Sequence, residues 1–265
     1  MIFAADLDRT LLFSQRRLEG DAAVIPVEYR FGEPFGFMTP GGFSALRTLQ
    51  KQAVCFVNTL RGLEQANRVV FVSDGSCRYL SLQNGLYLYR DGKEDSVWAA
   101  HVKRTVHALP LHLTDGAGIV LKQLPGIQCL SKQYEYLAVF FVEDESFDDR
   151  ACSSLAAELS ASGWALYRQR KKLYLYPQAL DKGAVLERVR ELEGCGTAVG
   201  FGDSWFDVPM LRACDAAWSL KGCELEGTDW GFPIQYSSLP AQAGTEEVLT
   251  RILTGLGEGY YAKKS

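Results

Sequence analysis

The sequence predicts an α/β fold with a mostly parallel sheet, interrupted by a separate α+β unit. Short and almost continuously apolar segments recur along the chain, with helical spacing of apolar residues between several of them; they span residues 2–5, 54–57, 69–72, 198–201 and 216–220. Continuous apolar character, rather than strict alternation, is typical of strands covered on both faces. Strands that alternate with helices in this way form parallel sheets.

The middle of the chain has a different pattern. Between residues 86 and 176, aromatic residues alternate with other residue types, most clearly at 134–143 and 164–177. Alternation with period two is typical of antiparallel strands that bury one face. We therefore predict a discontinuous core formed by residues 1–85 and 177–265, and an inserted α+β domain formed by residues 86–176.

Charge and composition restrict the classes of partner. The chain has 28 Lys and Arg against 32 Asp and Glu, a net charge of −4, so it lacks the basic field that attracts nucleic acid or an anionic membrane. We expect a small-molecule partner, with no nucleic acid and no membrane. The first residues, MIFAADLDRT, do not resemble a signal peptide, and the seven cysteines form no Cys-x-x-Cys pair. These features predict a cytoplasmic protein with reduced thiols.

Two carboxylates follow the first predicted strand. Asp6 and Asp8 are two residues apart, so in an extended chain their side chains face the same cavity. Such a pair can divide the work of nucleophile and general acid/base in phosphoryl transfer, provided that a cation offsets the negative charge. The alternative is that these aspartates only cap the turn after the strand.

A second acidic pair follows the predicted strand at 198–201. Asp203 comes directly after this strand and is a candidate ligand for a hard cation. Asp207 precedes Val208-Pro209, a sequence typical of a helix start, so it is either the N-cap of that helix or a residue that supports the metal ligands. The two roles are compatible.

Two further segments carry candidate phosphate ligands. Asp181 is the predicted N-cap of a helix, and Lys182 then lies in its first turn, where a cation opposes the helix dipole unless an anion binds there. Thr59 follows the predicted strand at 54–57, and its hydroxyl can hold a phosphate oxygen. Arg61 can add positive charge. A solvated lysine and an exposed arginine are the alternatives.

Together these motifs resemble those of the haloacid-dehalogenase (HAD) superfamily of phosphohydrolases. They occur in the order and spacing of its four motifs: DLDRT (6–10), NTLRG (58–62), DKG (181–183) and GDSWFD (202–207). The segment SLQNGLYLYRDG (81–92) resembles the one that leads into the cap of the Cof-like branch. The resemblance implies a HAD-like Rossmannoid core with a large α+β cap at the position of the insert.

The resemblance also implies residue roles. Asp6 would be the nucleophile and Asp8 the general acid/base, while Thr59 and Lys182 would bind the phosphoryl group; Arg61 is retained as in the Cof-like branch.

Magnesium would be the cofactor. It would be held by the carboxylates of Asp6 and Asp203 and the backbone carbonyl of Asp8, with Asp207 supporting them. Because Asp8 is present, the resemblance favours a phosphatase or a phosphomutase over a dehalogenase.

The leading hypothesis is a phosphoric monoester hydrolase that acts on a small phosphomonoester such as a sugar phosphate. A phosphomutase of the phosphomannomutase type is one alternative. The other is a catalytically weak module that binds a phosphorylated ligand, suggested by two departures from the family pattern. Leu60 stands where the branch usually has glycine, and residues 22–38 form a predicted hairpin that is longer than expected after the first motif.

Overall fold

The computed structural model describes residues 1–143, 145–194 and 196–261. The strands in chain order are β1 (Ile2–Ala5), β2 (Phe13–Ser14), β3 (Ile25–Arg30), β4 (Glu33–Met38), β5 (Val54–Asn58), β6 (Tyr79–Leu82), β7 (Tyr87–Arg90), β8 (Lys93–Glu94), β9 (Ile127–Gln133), β10 (Ala138–Val142), β11 (Trp164–Gln169), β12 (Lys172–Pro177), β13 (Ala198–Phe201), β14 (Ala216–Lys221) and β15 (Gln235–Pro240). The helices are α1 (Pro40–Gln52), α2 (Leu63–Ala66), α3 (Val70–Ser73), α4 (Ser96–His107), α5 (Leu113–Gln123), α6 (Asp149–Ser160), α7 (Lys182–Glu193), α8 (Val208–Arg212) and α9 (Ala241–Gly257). None of these helices is both long enough and apolar enough to cross a bilayer.

The main sheet has the strand order β15-β14-β13-β1-β5-β6-β7-β8. All neighbours from β15 to β6 are parallel, and β7 and β8 extend the edge as antiparallel strands. Every residue of β1 and β13 is buried, as expected for central strands covered on both faces. The predicted α/β fold with a mostly parallel sheet is therefore confirmed.

The central strands end at the same level of the sheet. Ala5 of β1 is paired with Phe201 of β13 on one side and with Val57 of β5 on the other. The residues that follow these three positions in the chain therefore meet at one edge. In open α/β sheets this carboxyl edge is where ligands bind.

One predicted strand of the core is wrong. Residues 69–72 were expected to form a strand, but Val70–Ser73 forms the short helix α3. A four-residue apolar run does not distinguish a buried strand from a buried helical turn. The polar residues after it, including Asp74, consequently do not follow a sheet strand, and Asp74 instead forms an ion pair with Arg47.

A small antiparallel sheet follows the first acidic loop, with the strand order β2-β4-β3. Its β3–β4 hairpin confirms the hairpin expected at 22–38. The backbone N–H of Tyr29 donates to the carbonyl of Arg68 at 3.3 Å, which connects β3 to the main core. Val27 and Met38 are buried against that core, so the hairpin is a docked part of it.

A second compact unit spans Ala99–Leu180, while Met1–Trp98 and Asp181–Ser265 form the first. The second unit has an antiparallel sheet of order β11-β12-β10-β9, and helices α5 and α6 contribute to its own apolar core around Trp164 and Phe140. The separate antiparallel sheet agrees with the inserted α+β unit expected from the sequence.

The limits of these units differ from the residue ranges predicted for the two domains, 1–85 with 177–265 and 86–176. Strands β7 and β8 continue the main sheet, and the Trp98 indole N–H donates to the carbonyl of Gly85 at 2.8 Å. These contacts keep residues 86–98 with the first unit. The assignment of functional domains to the two units stays a prediction.

The described cysteines differ in burial, and their expected reduced state stays a prediction. Six of the seven are free thiols, of which Cys55, Cys77 and Cys152 are buried. Cys195 lies outside the described residues.

Candidate active site

A buried lysine lies between two carboxylates at the carboxyl edge of the main sheet. The Lys182 ammonium donates to Oδ1 of Asp6 and to Oδ1 of Asp207, each at 2.6 Å. Lys182 is 1% exposed and Asp207 0% exposed, so both ion pairs are shielded from water. Shielding strengthens their electrostatic interaction and makes an unpaired charge at this position costly.

Local structure fixes Lys182 in this position. Asp181 is the N-cap of α7, as predicted, because its Oδ1 accepts from the backbone N–H groups of Gly183 and Ala184 at 2.8 Å each. Lys182 is therefore the first residue of the helix. The amide of Asn58 donates to the Lys182 carbonyl at 2.9 Å, which connects the helix start to the end of β5.

Burial changes the protonation of the acidic residues. Desolvation, with the charges of Asp207 and Asp8 adding to it, raises the pKa of Asp6 from 3.8 to about 7, against the opposing effect of Lys182. Desolvation also raises the pKa of Asp203 well above its usual value, reinforced by the charges of Asp207 and Asp6. Lys182 alone therefore does not compensate the negative charge that these carboxylates carry when they are ionised.

Asp207 is saturated with hydrogen bonds. Its Oδ1 accepts from Lys182, and its Oδ2 accepts from the backbone N–H groups of Asp203 and Ser204 and from the Ser204 hydroxyl, at 2.9–3.0 Å. Asp207 does stand at the N-cap position of α8, as the alternative predicted, but its side chain makes no capping hydrogen bond there and faces the preceding loop instead. Asp207 therefore fixes the Asp203 loop and the lysine together.

The site fits a hard divalent cation. Asp6, Asp203 and Asp207 each offer a carboxylate oxygen within 4.8 Å of the others, and all three residues are buried. When all three carboxylates are ionised, one ammonium leaves two negative charges, and a divalent ion that displaces the protons of Asp6 and Asp203 would neutralise them. Asp203 accepts from the Thr10 hydroxyl at 3.3 Å through Oδ1 only, and no described residue donates to its Oδ2. Oxygen ligands of this kind suit Mg²⁺, with Asp6 and Asp203 as the groups able to bind it directly.

Asp8 lies beside this cluster and faces an arginine. The Arg61 guanidinium binds its carboxylate with two parallel hydrogen bonds of 2.7 Å, and the Asp8 side chain is 54% exposed. Desolvation acts to raise the pKa of Asp8, but the hydrogen bonds and charge of Arg61 outweigh it, so the pKa is lowered. On its other side Arg61 binds the buried carboxylate of Glu28, a residue that the sequence analysis did not single out.

The loop that carries Thr59 is held in place by hydrogen bonds from a turn at Gln83 and Asn84. The Thr59 hydroxyl accepts from the Arg61 backbone N–H at 3.2 Å, which leaves the O–H group able to donate to a phosphate oxygen. The backbone N–H groups of Gln83 and Asn84 donate to the carbonyls of Arg61 and Thr59.

The same turn packs against the start of α7. Gly85 has a positive φ of +95°, and a Cβ atom there would lie 2.4 Å from the Asp181 carbonyl oxygen. The turn formed by Gln83, Asn84 and Gly85 thus lies between the Thr59 loop and the Lys182 helix. The sequence QNG could have predicted this turn, because Asn and Gly are the residues that accept a positive φ.

The structure therefore brings the predicted site residues to one edge of the main sheet. One buried cluster contains Asp6, Lys182, Asp203 and Asp207. The ion pair of Asp8 and Arg61 lies next to this cluster in the chain, because Asp8 is two residues from Asp6. Thr59 is 1% exposed within the loop that carries Arg61. The roles of these residues stay predictions.

Comparisons with known proteins identify the fold. No protein-family model matches the sequence, and no curated protein sequence matches it significantly. Among solved structures, the sucrose-phosphatase from Synechocystis sp. PCC6803, determined with sucrose and phosphate, matches with a TM-score of 0.64 and 14% identity over 99% of both chains. A sugar phosphatase of HAD subclass IIB matches with a TM-score of 0.61 and 12% identity over 95% of this chain and 98% of its own.

A third match is the C-terminal domain of trehalose-6-phosphate phosphatase from C. albicans, with a TM-score of 0.58 and 13% identity over 96% of this chain and 92% of that one. The chain therefore has the HAD fold, a mostly parallel α/β core with an inserted α+β unit. At the level of the fold, the resemblance carried by the four motifs is confirmed.

Proposed function

We propose that the protein is a magnesium-dependent phosphatase that hydrolyses a small phosphomonoester through an aspartyl phosphate on Asp6. The observation that carries this proposal is the buried cluster in which Lys182 and two further aspartates surround the Asp6 carboxylate. The phosphatases among the similar structures support the same reaction class.

The first half-reaction transfers the phosphoryl group to the protein. An oxygen of Asp6 attacks phosphorus, the ester P–O bond breaks, and its electron pair remains on the departing alcohol oxygen, which takes a proton from Asp8. Lys182 and the Thr59 hydroxyl bind the phosphoryl oxygens. A phosphoryl dianion beside Asp8 favours the protonated form of this carboxyl group, because a like charge disfavours its ionised form.

The second half-reaction releases phosphate. Water attacks the phosphorus of the aspartyl phosphate, Asp8 accepts a proton from that water, and the acyl P–O bond breaks to restore the Asp6 carboxylate. Mg²⁺ held by Asp6, Asp203 and the Asp8 carbonyl would supply positive charge that offsets the charge on the phosphoryl oxygens. Asp207 would keep Asp203 and Lys182 in place throughout.

A sugar phosphate is the substrate class we propose. The matching phosphatases named for sucrose, sugar and trehalose 6-phosphate substrates support this class. The inserted α+β unit at Ala99–Leu180 is proposed to act as the cap domain that selects the substrate and excludes bulk water.

The decisive experiment measures phosphate release from p-nitrophenyl phosphate and from a panel of sugar phosphates, with and without Mg²⁺. Wild type should turn over only with the metal, and Asp6→Asn should abolish turnover because the amide is a poor nucleophile. Asp91→Asn is the matched control, since Asp91 is exposed and has a positive φ of 49° that asparagine also accepts. Equal activity of wild type and Asp6→Asn would refute the proposed nucleophile.

The same substrates, followed by product analysis with and without a bisphosphate activator and by a binding measurement, separate the two alternatives. A phosphomutase would interconvert sugar phosphates and need a bisphosphate activator, whereas a phosphatase releases phosphate without one. A binding module would turn over no phosphoester but would bind a phosphorylated ligand in the presence of metal.

A further inference from the structure

A buried glutamate of the β3–β4 hairpin contacts the arginine that holds Asp8. Glu28 is 1% exposed, and its two carboxylate oxygens accept from Nη1 and Nη2 of Arg61 at 2.7 and 3.0 Å. A buried charged group needs a partner to be tolerated, and Arg61 is the partner that the described residues provide.

Arg61 has no donor left for a substrate in this arrangement. A guanidinium has five N–H groups. Two of them donate to Asp8, two to Glu28, and the last to the carbonyl of Gln65 at 3.2 Å. The plane of the guanidinium is therefore fixed on both sides, and Asp8 receives its two hydrogen bonds from a group that cannot rotate without breaking others.

The β3–β4 hairpin has a glycine opposite Glu28, which leaves room for the glutamate side chain. Glu28 is paired with Gly36 across the two strands. A Cβ atom at position 36 would lie 2.7 Å from Oε2 and 2.9 Å from Cβ of Glu28, so any other residue there would displace the glutamate. The hydrogen bond from Tyr29 to Arg68 anchors β3 to the core through the backbone and does not depend on the Glu28 carboxylate.

We propose that Glu28 is a positioning residue, which holds Arg61 so that the Asp8 carboxyl group faces the leaving-group oxygen of the substrate. The inference rests on the proposed phosphatase function, and it assigns to the hairpin after the first motif a part in that reaction. In this proposal Arg61 orients Asp8 and does not contact the substrate.

The leaving group provides the test. An alkoxide leaving from a sugar phosphate needs a proton from Asp8, whereas p-nitrophenolate is a weak base and leaves without one. The ratio kcat/KM reports the steps up to the first irreversible one, which includes departure of the alcohol. A misplaced Asp8 therefore lowers kcat/KM for the sugar phosphate and leaves that for p-nitrophenyl phosphate nearly unchanged.

The experiment compares Glu28→Gln, Gly36→Ala and Asp8→Asn with wild type on both substrates. Asp8→Asn gives the largest expected decrease in kcat/KM for the sugar phosphate, about 10²–10⁴-fold, because general acid catalysis is lost. We expect Glu28→Gln to lower kcat/KM for the sugar phosphate at least about tenfold more than for p-nitrophenyl phosphate, through kcat and not KM. Gly36→Ala should cause the same selective loss with Glu28 still present, which covers the case that Glu28→Gln does not fold.

Glu33→Gln is the matched control, because Glu33 is exposed on the same hairpin, and both substrates should be unaffected by it. An equal loss on both substrates in Glu28→Gln and Gly36→Ala would mean that Glu28 only stabilises the fold, and would overturn the inference while leaving the proposed function intact. Absence of any turnover by wild type would remove the proposed function, and the positioning role with it.

Discussion

Replacing Lys182 with methionine tests how much its two ion pairs, to Asp6 and Asp207, stabilise the fold. Methionine keeps most of the volume of the side chain but removes its charge. The two 2.6 Å ion pairs to Asp6 and Asp207 are then lost, and Oδ1 of Asp207 retains no donor among the described residues. Both carboxylates remain buried, so the substitution leaves uncompensated negative charge in the core.

The size of the effect follows from this burial. Removing one partner of a buried ion pair costs about 3–5 kcal/mol. For a chain of this size each kcal/mol lowers Tm by about 2–4 °C, so we expect a decrease of about 6–20 °C. The decrease should be largest at about pH 8, where Asp6 with its pKa of about 7 is ionised, and smaller in acid, where a proton neutralises it.

Thermal unfolding followed by circular dichroism, with metal removed by EDTA, measures this decrease. Lys51→Met is the matched control, because Lys51 is exposed in α1 and its loss should leave Tm within about 2 °C of wild type. The double variant Asp6→Asn, Lys182→Met should be more stable than Lys182→Met alone, since it carries one buried charge fewer. A Tm of Lys182→Met equal to that of wild type at about pH 8 would refute the charge balance described above.

Three further predictions concern the metal and the turn beside the site. Because the pKa of Asp6 is raised from 3.8 to about 7, its protonation stabilises the metal-free protein fully below pH 3.8, and this contribution is lost as the pH rises through about 7. Mg²⁺ should therefore raise Tm more at about pH 8 than at about pH 5, where protons compete for the same carboxylate. Asp203→Asn should weaken Mg²⁺ binding about tenfold or more in calorimetric titration, because it removes an anionic ligand. Gly85→Ala should lower both Tm and kcat, measured by thermal unfolding and phosphate release, because its Cβ would lie 2.4 Å from the Asp181 carbonyl oxygen.

Each of these predictions has an outcome that contradicts it. A Tm increase by Mg²⁺ that is independent of pH would mean that Asp6 does not exchange a proton for the metal. If Asp203→Asn binds Mg²⁺ as tightly as wild type, the ion binds elsewhere. Gly75→Ala is the control for Gly85→Ala, because Gly75 also has a positive φ but faces open space. Equal effects of the two glycine substitutions would assign the loss to backbone strain alone.

The sequence predicted the elements of the site better than their mutual contacts. Asp6 and Asp203 follow strands whose apolar character is local, so both strands and the carboxyl edge could be identified without a structure. The two ion pairs of Lys182 depend instead on the neighbouring positions of β1, β13 and α7, and these positions are set by packing between segments about 180 residues apart. No local pattern carries that information.

Glu28 was missed for a physical reason. In a regular strand, side chains alternate between faces, so a glutamate beside the buried Val27 is expected to face solvent. The pairing of β3 with β4 shifts register on both sides of Glu28, and such an irregularity redirects a side chain. The sequence predicted the hairpin but contained no sign of this shift.

The turn at Gln83, Asn84 and Gly85 has a consequence for redesign of this protein. Its backbone hydrogen bonds to the Thr59 loop, and its glycine lies against Asp181, the N-cap of α7, so the Thr59 loop and the start of α7 share one support. Substitutions in one segment will then shift the other, and their effects on activity will not add. A library that varies the Thr59 loop and the turn together therefore samples coupled combinations that a library of the loop alone omits.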